Sequence, residues 1–162
     1  MTTAEGIARI IPHRYPILLV DRVLDVEVGR QLTAIKAVTC NEPWYGEDRC
    51  LPAPLLIESW AQAAVLLAVW EQPNPDVVAG KVELAGSIKN AVLGDPVVPG
   101  DVLEHRAEVV KAIGDTAVLA GESRVGTSTV LTVGSFVLAL RDLRDLARRP
   151  AAHAGRGADR WA

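Results

Sequence analysis

Hydrophobic positions fall into two regimes along this chain. In "LPAPLLIESWAQAAVLLAVW", residues 51–70, almost every position is apolar or small, and the polar exceptions are Glu58, Ser59 and Gln62. An apolar run of that length without an alternating period predicts one long helix, roughly 54–70, buried on nearly all sides. Pro54 suits its first turn, where a backbone N–H has no partner inside the helix. The rest of the chain alternates with a period of two. Segment 17–29, "ILLVDRVLDVEVG", begins apolar, then alternates, and closes at Gly29. "RQLTAIKAVTCNE" alternates at Leu32, Ala34, Lys36 and Val38, and predicts a second strand paired with the first. After "QPNPD" stops the helix, strand patterns cover 77–85, 87–93, 102–112, 116–125 and 128–141, with turns at "LGDPVVPGD", "IGD" and "VGTS". A short helix is expected at 4–10, stopped by Pro12.

The predicted order is a short helix, two strands, one apolar helix and a run of antiparallel strands. A helix apolar on most of its surface needs a sheet curved around it. This is an α+β architecture of the hot-dog type, and the alternative is a two-layer sandwich with the helix on one face. One helix cannot cover a whole sheet, so two copies are expected to pair. Residues 1–145 are read as one domain, and the Gly-, Ala- and Arg-rich segment 146–162 as a disordered tail.

Composition narrows the function classes. The chain has 162 residues, enough for a single domain with a real core. With a net charge of −3 and no basic stripe interleaved with aromatics, nucleic acid is not the expected partner. The apolar run approaches membrane length, but Pro52, Pro54, Glu58 and Gln62 favour a core helix over a membrane span. The N-terminal stretch has no apolar leader pattern, and a cytoplasmic location is expected. The only cysteines, Cys40 and Cys50, form no CxxC, and His13, His105 and His153 are scattered. Neither a metal nor another cofactor is called for.

Several stretches resemble the FabZ-class 3-hydroxyacyl-acyl carrier protein dehydratases. They are "IPHRYPILLVDRV" (residues 11–23), "AIKAVTCNEP" (34–43), "LLIESWAQAA" (55–64) and "PVVPGDVL" (96–103), in the family's order. The resemblance implies a hot-dog fold working as dimers or trimers of dimers. The implied reaction is loss of water from a 3-hydroxyacyl thioester on an acyl carrier protein, giving a trans-2-enoyl thioester. The family builds its site at the dimer interface from a His of one subunit and the central-helix carboxylate of the other. This chain departs from that pattern. Where the family has Gly-His-Phe-Pro after Asn-Glu-Pro, the loop here reads "NEPWYGEDRCLPAP", shorter and without His. The strand before "PVVPGD" is also altered, to "NAVLGD".

Dehydration requires a base for the α-proton, an acid for the departing β-hydroxyl, and donors for the developing enolate oxygen. Glu58 is the candidate acid; the competing reading is a helix-surface carboxylate held by the helix dipole. Gln62 lies one turn on and can orient Glu58, or serve only in packing. His13 is the one histidine inside a matched stretch. In the family its segment lines the substrate region without supplying the base, so a structural role competes with that of a substitute base. Glu47 and Asp48 are further base candidates, with solvated loop charges as the plainer reading. His105 is expected on a strand surface, solvated. Gly86 in "ELAGSIKN" resembles the family glycine whose N–H faces the thioester carbonyl, or it marks a strand bulge. Trp60 and Tyr45 are candidate substrate contacts that could equally be packing residues. Two functions stay open. One is a dehydratase, in polyketide, polyene or specialised fatty-acid assembly. The other is a non-catalytic or half-site hot-dog subunit that binds acyl carrier protein or completes a heterodimer with a His-bearing paralogue.

Overall fold

The computed structural model describes residues 1–46, 49–78 and 81–147. The elements run β1 (Thr2–Thr3), α1 (Ala4–Ile7), β2 (Arg22–Glu27), β3 (Gln31–Ala37), α2 (Ala53–Ala68), β4 (Lys81–Leu93), β5 (Val102–Ile113), β6 (Thr116–Val125), β7 (Ser128–Asp142) and α3 (Leu143–Ala147). One seven-stranded sheet has the order β1-β2-β3-β5-β6-β7-β4, with every pairing antiparallel. It wraps α2, which packs against β3, β5, β6 and β7. This is the expected hot-dog arrangement. From Ser59 to Leu67 every residue of α2 is buried, as the largely apolar run requires. Each large aliphatic side chain enclosed this way contributes about 2 kcal/mol of burial free energy.

Several expected elements came out differently. The strand expected from residue 17 begins only at Arg22. Its leading residues do not lack hydrogen bonds. Ile17 O and Leu19 N are held by the Gln62 side chain, and Leu19 O by Ser59 Oγ. Side chains of α2 thus take the place of a neighbouring strand. The two strands expected at 77–85 and 87–93 are one strand, β4, starting at Lys81. It continues through a register shift between Ala85 and Ser87, so Gly86 does sit at a bulge. The short N-terminal helix stops at Ile7, with turns through Ile10. At the other end, α3 runs to Ala147, and residues 148–162 of the expected tail lie outside the described residues.

The core is pinned at one crossing of helix and sheet. Trp60 is wholly buried, donates its indole N–H to Arg106 O at 3.0 Å, and meets Phe136 edge-on at 5.9 Å. This crossing requires a glycine at 121. Its φ is +156°, and a Cβ there would lie 2.0 Å from Arg106 O and 3.1 Å from Trp60 Nε1. The nearest obstruction is backbone and cannot rotate away. Gly121→Ala is therefore expected to cost about 3 kcal/mol or more, at the upper end for overpacking. Urea denaturation checks this, and a midpoint equal to wild type would contradict it.

Candidate functional site

Glu58 sits in the second turn of α2, on the side the sheet leaves partly open, and its side chain is 38% exposed. The sequence raised the question of what a carboxylate does on so apolar a helix, and the geometry supplies its partners. Gln62, one turn on, donates from Nε2 to Glu58 Oε1 at 2.8 Å. The rest of the Gln62 amide is fully engaged: Nε2 also donates to Ile17 O at 2.7 Å, and Oε1 accepts from Leu19 N at 2.8 Å. With all its bonds made to fixed backbone, the amide is held in one orientation and presents one N–H to the carboxylate.

The loop from Ile11 to Leu18 lies over the same end of α2. Arg14 Nη1 donates to both Ile11 O and His13 O at 2.8 Å, which shapes the turn around His13. His13 Nε2 lies 3.5 Å from Glu58 Oε1. Its Nδ1 is buried and has no hydrogen-bond partner among the described residues. The structure thus brings together three of the sequence candidates: Glu58, Gln62 and His13.

The other candidates are placed elsewhere. The Trp60 ring is committed to the core crossing described above. Tyr45 lies on the exposed part of the 41–46 loop, its backbone N–H closing a turn on Glu42 O. Gly86 is exposed on the edge strand β4, which packs on β7. Glu47 and Asp48 lie outside the described residues. Ahead of them the loop is anchored by a buried ion pair. Lys36 Nζ lies 2.9 Å from Glu42 Oε1, with both side chains at least nine-tenths buried, and the Trp44 ring is 5.9 Å from the ammonium. A cleft of about 260 Å³ opens at the other end of α2, lined by Val28, Leu67, Val109 and Asp115. It lies about 13 Å along the helix from Glu58, and His13, Glu58 and Gln62 are not part of its wall.

His105 corrects a sequence expectation. It is not solvated but completely buried, between Leu103 and Ala107 on the inward face of β5. The signal was available in "VLEHRAEV": Leu103, His105 and Ala107 share one parity, and Glu104, Arg106 and Glu108 take the other. Reading histidine as a surface residue overrode that alternation. Its ring nitrogens each lie 2.7 Å from a serine hydroxyl, Nε2 from Ser59 and Nδ1 from Ser123. Burial pushes its pKa down to about 3, and the positive charge of Lys36 acts in the same direction.

That depression has a consequence for stability. Below pH 6.5 the unfolded chain binds a proton at His105 that the folded chain refuses, so stability falls as pH drops from 6.5 toward 3. Within that window His105 alone contributes a slope of about 1.4 kcal/mol per pH unit. Urea unfolding measured from pH 7 to pH 4 should show a shallower pH dependence for His105→Gln than for wild type. Parallel curves would mean that His105 does not carry this linkage.

Comparison with known proteins adds relatives to this geometry. Residues 11–133 match the family described as a FabA-like domain. A protein of Anaeromyxobacter dehalogenans (strain 2CP-1) named 3-hydroxyacyl-[acyl-carrier-protein] dehydratase FabZ is 40% identical over 85% of this chain and 89% of its own length. A protein of the same name from Anaeromyxobacter sp. (strain Fw109-5) is 44% identical over 74% of this chain and 82% of its own length. Among solved structures, the dehydratase heterocomplex ApeI:P from Xenorhabdus doucetiae superimposes with a TM-score of 0.77 at 17% identity, covering 88% of this chain and 97% of that one. At that identity the match speaks for the fold alone.

Proposed function

This chain belongs to the FabA-like family, and from that premise we propose that it dehydrates a 3-hydroxyacyl thioester carried on acyl carrier protein to a trans-2-enoyl thioester. One observation carries the reading: His13 Nε2 and Glu58 Oε1 face each other at 3.5 Å, with Gln62 fixing the carboxylate. A neutral imidazole takes the proton from the carbon α to the thioester. The β-hydroxyl leaves with the proton of the Glu58 carboxyl, and the electron pair of the broken C–H bond becomes the new double bond. The step leaves an imidazolium beside a carboxylate. The imidazolium releases its proton to water and the carboxylate takes one up, which restores both groups. His13 gains one proton and Glu58 gives up one, so the pair carries the same number of protons before and after, and no cofactor enters the cycle.

The substrate reaches the site on an acyl carrier protein. Polyketide, polyene or specialised fatty-acid assembly is the setting that the altered 41–51 loop suggests. A cytoplasmic location belongs to the same reading, since Cys40 and Cys50 are both free thiols, as a reducing compartment keeps them.

A second reading is favoured by the sheet edge. Strand β4 spans 13 residues, and its outer edge has no partner strand among the described residues. Ile88, Val92 and Leu93 stand exposed on it. Such an edge invites a second strand. A copy of this chain would make a homodimer, and a His-bearing paralogue would make a heterodimer in which this chain supplies Glu58 and its partner the base. The deciding experiment is incubation of the purified protein, alone and with candidate partners, with a 3-hydroxyacyl carrier protein. Intact mass of the carrier is the readout. Loss of water with the chain alone supports the first reading, loss only with a partner supports the second, and no loss in either case defeats both.

A further inference from the structure

His105, Ser59 and Ser123 take no part in the proton transfers above, yet their hydrogen bonds run without a gap to the residues that do. Ser123 lies directly across the β5–β6 ladder from His105, and Ser59 immediately follows Glu58 on α2. Ser59 Oγ lies 2.6 Å from Leu19 O and 2.7 Å from His105 Nε2. A carbonyl oxygen can only accept, so the single hydroxyl proton of Ser59 points at Leu19. Ser59 must then accept from His105, which places the ring proton on Nε2. The bare Nδ1 accepts the hydroxyl proton of Ser123 at 2.7 Å. The next link is Leu19 N–H to Gln62 Oε1 at 2.8 Å, and the last is Gln62 Nε2–H to Glu58 Oε1 at 2.8 Å. Every donor and acceptor from β6 to the Glu58 carboxylate thus has a determined sense. The Ile17–Leu19 segment is held to α2 by the two bonds to Leu19 and by Gln62 Nε2–H to Ile17 O at 2.7 Å, and it continues directly from the turn that carries His13.

The geometry points to His105 as a positioning residue: by donating to Ser59 it fixes how the Ile17–Leu19 segment seats on α2, and through Gln62 it sets the orientation of Glu58 toward His13. Without that donor, a buried lone pair of Ser59 goes unsatisfied and the hydroxyl is free to turn away from Leu19. The segment then keeps only the Gln62 contacts, which are the ones that must stay rigid for the carboxylate to hold its aim. Small displacements at this point matter, because a misplacement of about 1 Å can lower a rate about a hundredfold. The part of this inference that concerns rate rests on the dehydratase reading; the part that concerns geometry does not.

The test compares His105→Leu, which removes both ring bonds, with His105→Gln, which offers an amide N–H to Ser59. In the wild-type protein, nitrogen NMR should show His105 with a protonated Nε2 and a bare Nδ1. The Gln62 side-chain amide should give a single well-dispersed pair of resonances. His105→Leu should shift or broaden that pair and lower kcat about tenfold or more with KM nearly unchanged, and His105→Gln should restore the Gln62 signals and most of kcat. Should His105→Leu fail to fold, Ser59→Ala breaks the same link from the helix side and should disturb the Gln62 pair in the same way. Unmoved Gln62 resonances in the folded variants would overturn the proposal and leave His105 a core residue only. If wild type does not dehydrate the carrier substrate, the dehydratase reading fails, while the Gln62 resonances still decide the positioning role.

Discussion

Replacing Glu58 by glutamine should remove dehydration while leaving the fold intact. The side chain keeps its length and shape, and the new amide oxygen can accept the Gln62 N–H that Glu58 Oε1 accepts now. The carboxylate is only partly enclosed, and its contact with His13 at 3.5 Å is too long to anchor the loop, so no buried partner is stranded. What the amide cannot do is give a proton to a departing hydroxyl. Losing a general acid typically costs 10²–10⁴ in rate, so kcat should fall by about that factor. Circular dichroism and a denaturation midpoint close to wild type establish that the fold survives. Carrier mass spectrometry under single-turnover conditions then measures the chemical step. Wild-type activity in a folded Glu58→Gln protein would exclude the carboxylate as the acid. Glu58→Asp is a useful companion, since it keeps the acid but draws it back from the Gln62 N–H, and its rate should fall between the other two.

The parts of this molecule that could be read from sequence are those governed by one local pattern at a time. The burial of α2 followed from a single, largely apolar run, and β6 followed from a strand pattern between two glycine turns. The misreadings came where a side chain did what backbone usually does, or where residue type outweighed position. The 17–20 segment is apolar enough to look like a strand, but Gln62 and Ser59 satisfy its peptide groups from a helix 40 to 45 residues away. No local signal announces such a partnership. His105 was readable from its parity on β5, and its type argued for the surface. The two serines that accommodate it are unremarkable in sequence, because a buried hydroxyl differs from an exposed one only through what it meets. The same holds for Lys36, whose alternation placed it inward, and whose burial makes sense only once Glu42 and Trp44 close over it. At the candidate site, the identities of Glu58, Gln62 and His13 could be proposed from motif positions. Their mutual geometry could not, because it depends on how the Ile11–Leu18 loop folds back across the first turns of α2.

That loop makes His13 the sharper question, and the expected result of His13→Ala depends on where the base comes from. If the chain acts alone, the variant should lose about a hundredfold or more in kcat, the usual range for removing a general base. The site gives His13 what a base needs. Nε2 faces the Glu58 carboxyl across 3.5 Å, the side chain remains about one-quarter exposed, and Nδ1 has no competing partner among the described residues. Removing the ring also opens space beside Glu58, so a loss of rate could reflect loop collapse rather than a missing base. His13→Gln separates the two, since it fills the space with a group that cannot take a proton at neutral pH. Both variants should be slow if the ring acts as the base, and only His13→Ala should be slow if it merely props the loop. If the base is instead supplied by a His-bearing partner across the β4 edge, the isolated chain is inert. Mixtures with that partner then run at nearly the same rate for wild type and for either variant. Measuring kcat for the three proteins, alone and with partner, assigns the base to His13 or to the second subunit. Wild-type rate in isolated His13→Ala would exclude His13 and turn attention to the remaining base candidates, Glu47 and Asp48.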